Sequence, residues 1–245
     1  MIKLFVADLD GCISIPFQSP KFSELAQIRK YSEQAKTEEK IPYLTICTGR
    51  PLPYAEAVAQ WLDVKLPIIF ESGGGIFNTV TNHITWSPEY KANKQDINAI
   101  RLWVEKHIVS KYDGIMPEFA KQTDVGLVHP EESVIDEIYP KIKEYVTQNY
   151  HQFDVHYTEV SVNIILKKSN KGTGVETLSE LTDFALNEMA YIGDGTNDIP
   201  AMQRVKAAYA PLNCRDEVAQ HAQVVDKKAT SAVLEVYENL IRENG

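Results

Sequence analysis

The chain has 245 residues, of which 44% are hydrophobic and 24% are charged, and its formal net charge is -9. This length suits one large domain or two smaller ones, and the composition is typical of an ordinary soluble globular protein. The negative charge argues against a nucleic-acid-binding protein, because such proteins present a basic surface to the phosphate backbone.

The three cysteines, Cys12, Cys47 and Cys214, are widely spaced and contain no CxxC pair. They therefore form neither a disulfide framework nor a zinc motif, and a reducing compartment is expected. The first apolar run is too short for a signal peptide, and no segment is apolar enough for a membrane span. We expect a cytoplasmic protein whose partners are neither nucleic acids nor membranes.

Short apolar runs alternate with amphipathic segments in the first part of the chain. The runs "LFVA", "YLTIC" and "LPIIF" predict strands at 4–7, 43–47 and 66–70. Helical spacing predicts helices at 19–36 and 52–62. In the first helix, Ser19 is the expected N-cap and Pro20 the first helical residue, with an apolar stripe formed by Phe22, Leu25, Ile28 and Tyr31.

From residue 82 to residue 168 the pattern changes to helix, two strands, helix, two strands. The first helix carries a stripe of Ile97, Ile100, Val104 and Ile108, and the second carries Val134, Ile138, Ile142 and Tyr145. The strands are expected within 114–122, 124–130, 152–159 and 160–168. This order predicts a small antiparallel sheet with two helices, inserted into a larger α/β unit.

The last part of the chain returns to the first pattern. Strands are predicted at 189–193, 207–212 and 224–225, and helices at 174–181, 198–205 and 215–222. A closing helix follows, with Val233, Val236, Tyr237, Leu240 and Ile241 on one face. Strands that alternate with helices predict a parallel sheet covered on both faces.

Four polar stretches follow predicted strands: "DLDG" (8–11), "CTGR" (47–50), "SNKG" (169–172) and "GDGTND" (193–198). The carboxyl ends of parallel strands meet at one crevice, where such sheets bind ligands. The crevice is therefore expected to gather Asp8, Asp10, Asp194 and Asp198 with Thr48 and Lys171.

Several carboxylates in one crevice repel each other unless a cation neutralises them. A hard divalent cation with oxygen ligands removes that repulsion, and Mg²⁺ commonly binds one or two carboxylates together with substrate phosphate. A lysine, a threonine hydroxyl and loop amides suit phosphoryl oxygens. The combination points to phosphoryl transfer, which depends mainly on positioning and charge stabilisation.

The stretches "DLDG", "TGR", "NKG" and "GDGTND", in this order, resemble the four motifs of the haloacid dehalogenase-like superfamily. The insertion between the second and third motifs is similar to that of its type-II capped branch, the sugar-phosphate and phosphoglycolate phosphatases. "ESGGGIF" (71–77) resembles the loop after the third strand of that branch. The resemblance implies a Rossmann-like parallel-sheet core at 1–81 and 169–245, and an inserted α+β cap domain at 82–168.

The resemblance also implies catalytic roles. Asp8 is expected to attack phosphorus and form an aspartyl-phosphate. Asp10 is expected to protonate the leaving alcohol and then to activate water. Mg²⁺ is expected to bind Asp8, the backbone carbonyl of Asp10 and Asp194, with Asp198 contributing directly or through water. Lys171 is expected to act in catalysis and, with the other phosphate-binding residues, to hold the phosphoryl group; those residues are Thr48, Gly49, Arg50 and Asn197.

The sequence leaves some roles open. Arg50 either touches the substrate or pairs with a core carboxylate such as Glu71. Cys12 stands where many relatives have threonine, and we expect this difference to tune activity and not to abolish it. In the inserted domain, polar strand residues either face the substrate or are structural; they are Lys121, Glu159, Ser161 and Asn163.

The expected function is hydrolysis of the monoester of a small phosphorylated metabolite, phosphoglycolate or a sugar phosphate, with Mg²⁺ as cofactor. Two alternatives remain. One is a phosphotransferase or mutase, in which a second hydroxyl takes the phosphoryl group from the aspartate. The other is a non-catalytic sensor of phosphorylated ligands. The sequence does not determine the substrate or the oligomeric state.

Overall fold

The computed structural model describes residues 1–16 and 18–245. It divides into two compact units. Unit 1 consists of Met1–Thr85 together with Asn170–Gly245, and unit 2 consists of Trp86–Ser169. Unit 2 is therefore an insertion into the chain of unit 1.

In its described residues, the first part of unit 1 contains five strands and two α-helices. In chain order they are β1 (Leu4–Ala7), α1 (Phe22–Gln34), β2 (Tyr43–Ile46), α2 (Leu52–Trp61), β3 (Ile68–Phe70), β4 (Gly75–Asn78) and β5 (His83–Trp86). The predicted strands and helices of this part are all present, although several of their boundaries differ.

Helix α1 begins at Phe22, two residues after Pro20, the predicted first helical residue. Its N-cap is Lys21, whose carbonyl accepts hydrogen bonds from the backbone N–H groups of Glu24 and Leu25. The expectation that Ser19 caps this helix and Pro20 opens it is wrong. The first turn packs loosely, since Phe22 is 66% exposed while Leu25 is buried.

Strands β4 and β5 are the elements that the sequence analysis missed. The segment 71–77 was interpreted as a loop, but after a single 3₁₀ turn at Glu71–Gly73 the chain pairs antiparallel with β3. The reversal uses positive φ angles at Glu71, Ser72 and Gly73. A side chain at Gly75 would overlap the ring of Phe70, so the glycine allows the two strands to approach.

Unit 2 has two helices and a four-stranded sheet. Its elements are α3 (Pro88–Val104), which continues into a π turn at Glu105–Val109, then β6 (Met116–Pro117), β7 (Val125–Val128), α4 (Glu132–Asn149), β8 (Phe153–Thr158) and β9 (Ser161–Leu166). The sheet is antiparallel in the order β6-β7-β9-β8. The element order predicted from the sequence is thus the one observed.

The core of unit 2 comes from the apolar stripes of its helices. The predicted stripe of α3 is buried in full. In α4 the buried stripe is Ile135, Ile138, Ile142 and Val146, and the expected members Val134 and Tyr145 are only partly buried. Both versions have helical spacing, so only packing selects between them.

The chain then returns to unit 1. The remaining elements are α5 (Lys171–Leu181), β10 (Met189–Ile192), α6 (Ile199–Met202), β11 (Ala207–Ala210), α7 (Asp216–Ala219), β12 (Gln223–Val224) and α8 (Ala229–Asn244). The predicted helix at 198–205 is shorter than expected, with a 3₁₀ turn at Thr196–Asp198 before α6.

The five-stranded sheet of unit 1 is parallel throughout, in the order β12-β11-β10-β1-β2. In its register Ala7 lies beside Ile46 and Ile192. The residues that follow these three strands therefore leave the sheet at one edge. This confirms the predicted fold class, an α/β core with a smaller α+β unit inserted, and it places the polar motifs together.

Within residues 1–16 and 18–245, no helix is both long and apolar enough to cross a membrane.

Candidate active site

The centre of the site is the buried ammonium of Lys171. Its Nζ lies 2.9 Å from Oδ1 of Asp8 and 2.7 Å from Oδ1 of Asp198. The three side chains are almost completely enclosed, with exposed fractions of 1%, 6% and 0%. Burial disfavours the charged forms, so each charge depends on the others for stabilisation.

Lys171 is placed by the first turn of α5. The N-cap Asn170 accepts a hydrogen bond from the backbone N–H of Thr173, and Thr173 Oγ1 accepts one from the backbone N–H of Asn170, each at 3.1 Å. This reciprocal cap fixes the direction in which the helix begins. The "SNKG" stretch therefore holds its lysine at a defined position.

Asp194 joins the two buried aspartates. Asp8, Asp194 and Asp198 each offer a carboxylate oxygen, and these oxygens lie within 4.8 Å of one another. Burial, and then the charge of Asp198, raise the pKa of Asp194 to about 6. Burial and Asp198 also raise the pKa of Asp8, although Lys171 opposes the shift. The cluster thus carries more negative charge than Lys171 neutralises, and its hard oxygen donors fit a divalent cation.

Two glycines allow the chain to come this close to the carboxylates. Gly11 has a φ of +75°, and a side chain there would lie 2.0 Å from Oδ2 of Asp194. A side chain at Gly193 would lie 2.2 Å from Cγ of Asp198. The glycines of "DLDG" and "GDGTND" are therefore required by the packing of the acidic residues themselves.

Asp10 is paired with Arg50. The guanidinium donates from Nε to Oδ2 of Asp10 at 2.7 Å and from Nη2 to Oδ1 at 3.0 Å. Arg50 also lies over the ring of Tyr54, 5.2 Å from its centroid. About a third of each charged side chain is exposed. The pairing with Asp10 was not among the alternatives that the sequence suggested for Arg50.

The acidic cluster opens into a cavity of about 340 Å³. It is lined by Asp8, Asp10, Gly11, Ile15, Pro16, Gly49, Lys171, Asp194, Asn197 and Asn213. Of the residues expected to bind phosphate, Gly49, Lys171 and Asn197 are in this set. Thr48 and Arg50 are not among the described residues that line it. Thr48 is fully buried, and its Oγ1 accepts a hydrogen bond from the backbone N–H of Arg50 at 3.1 Å.

Asn213 and Tyr191 belong to the site but were missed by the sequence analysis. Asn213 Nδ2 donates to the carbonyl of Gly11 at 2.9 Å, and its Oδ1 accepts from the backbone N–H of Ala229 at 2.9 Å. Asn213 could have been predicted from the sequence, because it lies shortly after β11, and the residues that follow the parallel strands lie at the same edge of the sheet as the four motifs. Tyr191 donates to Asp198, but as an aromatic residue inside a strand it gave no such signal.

In unit 2, the polar strand residues form a network of their own. Lys121 is 7% exposed, and its Nζ contacts Glu118 at 2.9 Å, Asp124 at 3.3 Å and Oδ1 of Asn163 at 3.1 Å. Ser161 shares a hydrogen bond with Thr158. These contacts fit the structural alternative for Lys121, Ser161 and Asn163.

Comparisons with known proteins identify the family. The sequence model of the haloacid dehalogenase-like hydrolases matches residues 80–236. The match spans more than half of the chain and includes "NKG" and "GDGTND", while "DLDG" and "TGR" precede it.

Among the chain's relatives are two archaeal phosphoglycolate phosphatases. That of Staphylothermus marinus is 23% identical over 244 residues, covering 98% of each chain. That of Methanopyrus kandleri is 24% identical over 234 residues, covering 92% of this chain and 90% of the relative.

Two crystal structures share the fold. A protein from Thermoplasma acidophilum matches with a TM-score of 0.77 at 18% identity, covering all of both chains. The sucrose-phosphatase of Synechocystis, in complex with sucrose and phosphate, matches with a TM-score of 0.67 at 15% identity, covering 98% of each chain.

Proposed function

The chain belongs to the haloacid dehalogenase-like hydrolases, and on that basis we propose that it is a Mg²⁺-dependent phosphatase acting on a small phosphorylated metabolite. One observation carries the proposal. A single buried ammonium contacts Asp8 and Asp198, beside Asp194, at the wall of a cavity. This arrangement offers a nucleophile, a cation site and a phosphate-binding charge within one small space.

Asp8 is the residue that we assign as nucleophile. Lys171 holds Oδ1 of its carboxylate, and we assign Oδ2 as the atom that attacks phosphorus. The new bond joins this oxygen to phosphorus while the bond from phosphorus to the ester oxygen breaks. The aspartyl-phosphate divides the hydrolysis into two easier steps. Water then attacks the same phosphorus and returns Asp8 as a carboxylate.

We assign proton transfer to Asp10, which lines the same cavity. In the first step Asp10 gives a proton to the departing ester oxygen, and in the second it takes one from the attacking water. Its two carboxylate oxygens are both bound by Arg50, so one of these hydrogen bonds must open when Asp10 turns to the substrate. About a third of each side chain is exposed, so water can replace the hydrogen bond that opens.

The residues that would hold Mg²⁺ are Asp8, the backbone carbonyl of Asp10, and Asp194. Both oxygens of Asp198 already accept hydrogen bonds, Oδ1 from Lys171 and Tyr191 and Oδ2 from the backbone N–H of Gly195. We therefore assign Asp198 to support the cation through water. When bound, the cation supplies positive charge that stabilises the charge developing on the phosphoryl oxygens.

Lys171, Gly49 and Asn197 are the residues that we assign to the phosphoryl group. Gly49 and Asn197 line the cavity beside Lys171. Thr48 supports the loop from within, through its hydrogen bond with Arg50. The volume of about 340 Å³ suits a small ligand. Together with the named relatives, it favours phosphoglycolate or a sugar phosphate as substrate.

The two-unit organisation supports our assignment of residues 1–81 and 169–245 to a catalytic core and of 82–168 to a cap domain. We also place the protein in the cytoplasm, because the free cysteines Cys12 and Cys47 are buried in the core without a disulfide.

Phosphate release from an aryl phosphate and from a panel of phosphorylated metabolites tests the proposal, with Mg²⁺ and with EDTA. We expect turnover with Mg²⁺ only, and no turnover by Asp8→Asn. The control is Asp183→Asn, which makes the same chemical change at an exposed position and should leave turnover unchanged. A folded protein that releases no phosphate from any compound would refute the function, and an active Asp8→Asn variant would remove Asp8 from the nucleophile role.

A further inference from the structure

Tyr191 lies inside β10, and its side chain contacts Asp198 of the acidic cluster. Its hydroxyl donates to Oδ1 of Asp198 at 2.6 Å. The same oxygen is contacted by Nζ of Lys171 at 2.7 Å. Tyr191 and Asp198 are both fully buried, so no bulk water replaces either contact.

The direction of this hydrogen bond is fixed by chemistry. An ionised carboxylate only accepts, so the tyrosine hydroxyl must be the donor. Oδ1 of Asp198 therefore has two donors, one neutral and one cationic.

The tyrosine is held rigidly by its strand. Tyr191 pairs in register with Val6 of β1, and its ring packs in a cluster with Leu4, Val6, Cys47 and Met189. A side chain fixed in this way places its hydroxyl with little freedom. This rigidity is what a residue needs if it is to orient another one.

We propose that Tyr191 is a positioning residue that acts through Asp198 on Lys171, an inference that rests on the proposed function. The tyrosine hydroxyl satisfies part of the hydrogen-bonding capacity of Oδ1 of Asp198. The attraction of Asp198 for the ammonium of Lys171 is thereby reduced, and the ammonium keeps its contacts with both Asp198 and Asp8. In that position it is available to the phosphoryl oxygens during the reaction.

Removing the hydroxyl should change this balance. In Tyr191→Phe, Oδ1 of Asp198 keeps only Lys171 as a donor, and the ammonium moves toward that oxygen. Its contact with Asp8 weakens, and stabilisation of the transition state weakens with it. We expect kcat to fall about tenfold, which corresponds to about 1.4 kcal/mol, while KM changes less than about threefold because the other phosphate contacts remain.

Tyr237→Phe is the matched control. Tyr237 lies in α8, outside the candidate site, and is also fully buried. Its hydroxyl donates to the carbonyl of Pro42 at 2.6 Å. Each variant loses one buried hydrogen bond of the same length. Both variants should unfold at a lower urea concentration, Tyr191→Phe somewhat more so because its hydroxyl donates to a carboxylate and not to a neutral carbonyl, whereas only Tyr191→Phe should lose turnover.

A second readout does not require turnover. Orthovanadate resembles the pentacoordinate phosphoryl group, and its affinity can be measured by calorimetry with Mg²⁺ present. We expect Tyr191→Phe to weaken its binding about fivefold and Tyr237→Phe to leave it unchanged. In an Asp198→Asn background the further effect of Tyr191→Phe should largely disappear, because the tyrosine acts through that carboxylate.

The outcomes separate the two proposals. If the wild-type protein binds vanadate but hydrolyses no ester, the proposed function fails, and the vanadate result alone decides the role of Tyr191. Wild-type values of kcat and vanadate affinity in Tyr191→Phe would overturn that role. An equal loss of kcat and vanadate affinity in Tyr237→Phe would also overturn that role. A far greater loss of stability in Tyr191→Phe than in Tyr237→Phe would do the same. A wild-type protein that neither turns over nor binds vanadate would overturn both.

Discussion

Replacing Lys171 with methionine is the perturbation whose effect on stability follows most directly from the structure. The substitution keeps an unbranched apolar stem that is one atom shorter, and it removes the ammonium. Lys171 contacts Asp8 at 2.9 Å and Asp198 at 2.7 Å, with none of the three more than 6% exposed. Removing one partner from a buried ion pair commonly costs about 3–5 kcal/mol, because an uncompensated charge is left behind.

The loss should depend on pH. Burial already raises the pKa of Asp8 with Lys171 present, and without the ammonium that pKa rises further. A carboxyl whose pKa is raised by folding binds more protons in the folded than in the unfolded state, so stability falls as pH increases above 3.8. We expect a loss of about 3–5 kcal/mol near pH 8 and a smaller loss near pH 5, because the raised pKa of Asp8 makes its protonation easier as pH falls.

The assay is urea unfolding followed by circular dichroism at both pH values, in EDTA. Lys30→Met is the control, because Lys30 is an exposed residue of α1 and its replacement should change stability by less than about 0.5 kcal/mol. If Lys171→Met were as stable as Lys30→Met at both pH values, the ammonium would not be the compensating charge of the cluster.

Three further predictions concern the same site. Because the pKa of Asp194 is raised to about 6 from 3.8, the stability of the metal-free protein should fall by at most about 3 kcal/mol as pH rises through that window. Mg²⁺ affinity measured by calorimetry should rise over the same window, and a pH-independent affinity would contradict the assignment of Asp194. Arg50→Lys keeps the charge but loses the two-pronged contact with Asp10. The kcat should therefore drop about tenfold, while the free energy of unfolding should change by less than about 1 kcal/mol. Unchanged kinetics would show that Arg50 does not orient Asp10. Gly11→Ala places a methyl group 2.0 Å from Oδ2 of Asp194 at a φ of +75°. The free energy of unfolding measured in urea should therefore fall by more than about 2 kcal/mol, and Mg²⁺ binding should weaken. A variant as stable as the wild type would show that Asp194 moves aside at little cost.

The gathering of the acidic residues was predictable because it follows from topology. Parallel strands place their carboxyl ends at one edge, so a motif after each strand is enough to bring Asp8, Asp194 and Lys171 together. The glycines of two of these motifs fit the same prediction, because the carboxylates of Asp194 and Asp198 occupy the space where side chains at Gly11 and Gly193 would lie. Local spacing and sheet direction carry this information without knowledge of side-chain contacts.

Other features were not accessible in this way. The pairing of Arg50 with Asp10 depends on the rotamers of two long side chains from different loops, and several carboxylates were within plausible reach. Strand β4 begins at the last of three consecutive glycines, a composition typical of a turn, and it forms because β3 provides a partner. The start of α1 at Phe22 depends on local capping at Lys21, although Ser19 and Pro20 have the stronger sequence signal.

Borohydride trapping tests the central claim most directly, because it reports which carboxylate becomes phosphorylated. Borohydride reduces an acyl phosphate to an alcohol and so converts a phosphorylated aspartate into homoserine. With Mg²⁺ and an aryl phosphate present, mass spectrometry of the digested protein should find homoserine at position 8, and it should disappear when EDTA replaces Mg²⁺. Steady turnover with homoserine at another aspartate, or with aspartate at position 8 unmodified throughout, would contradict the account.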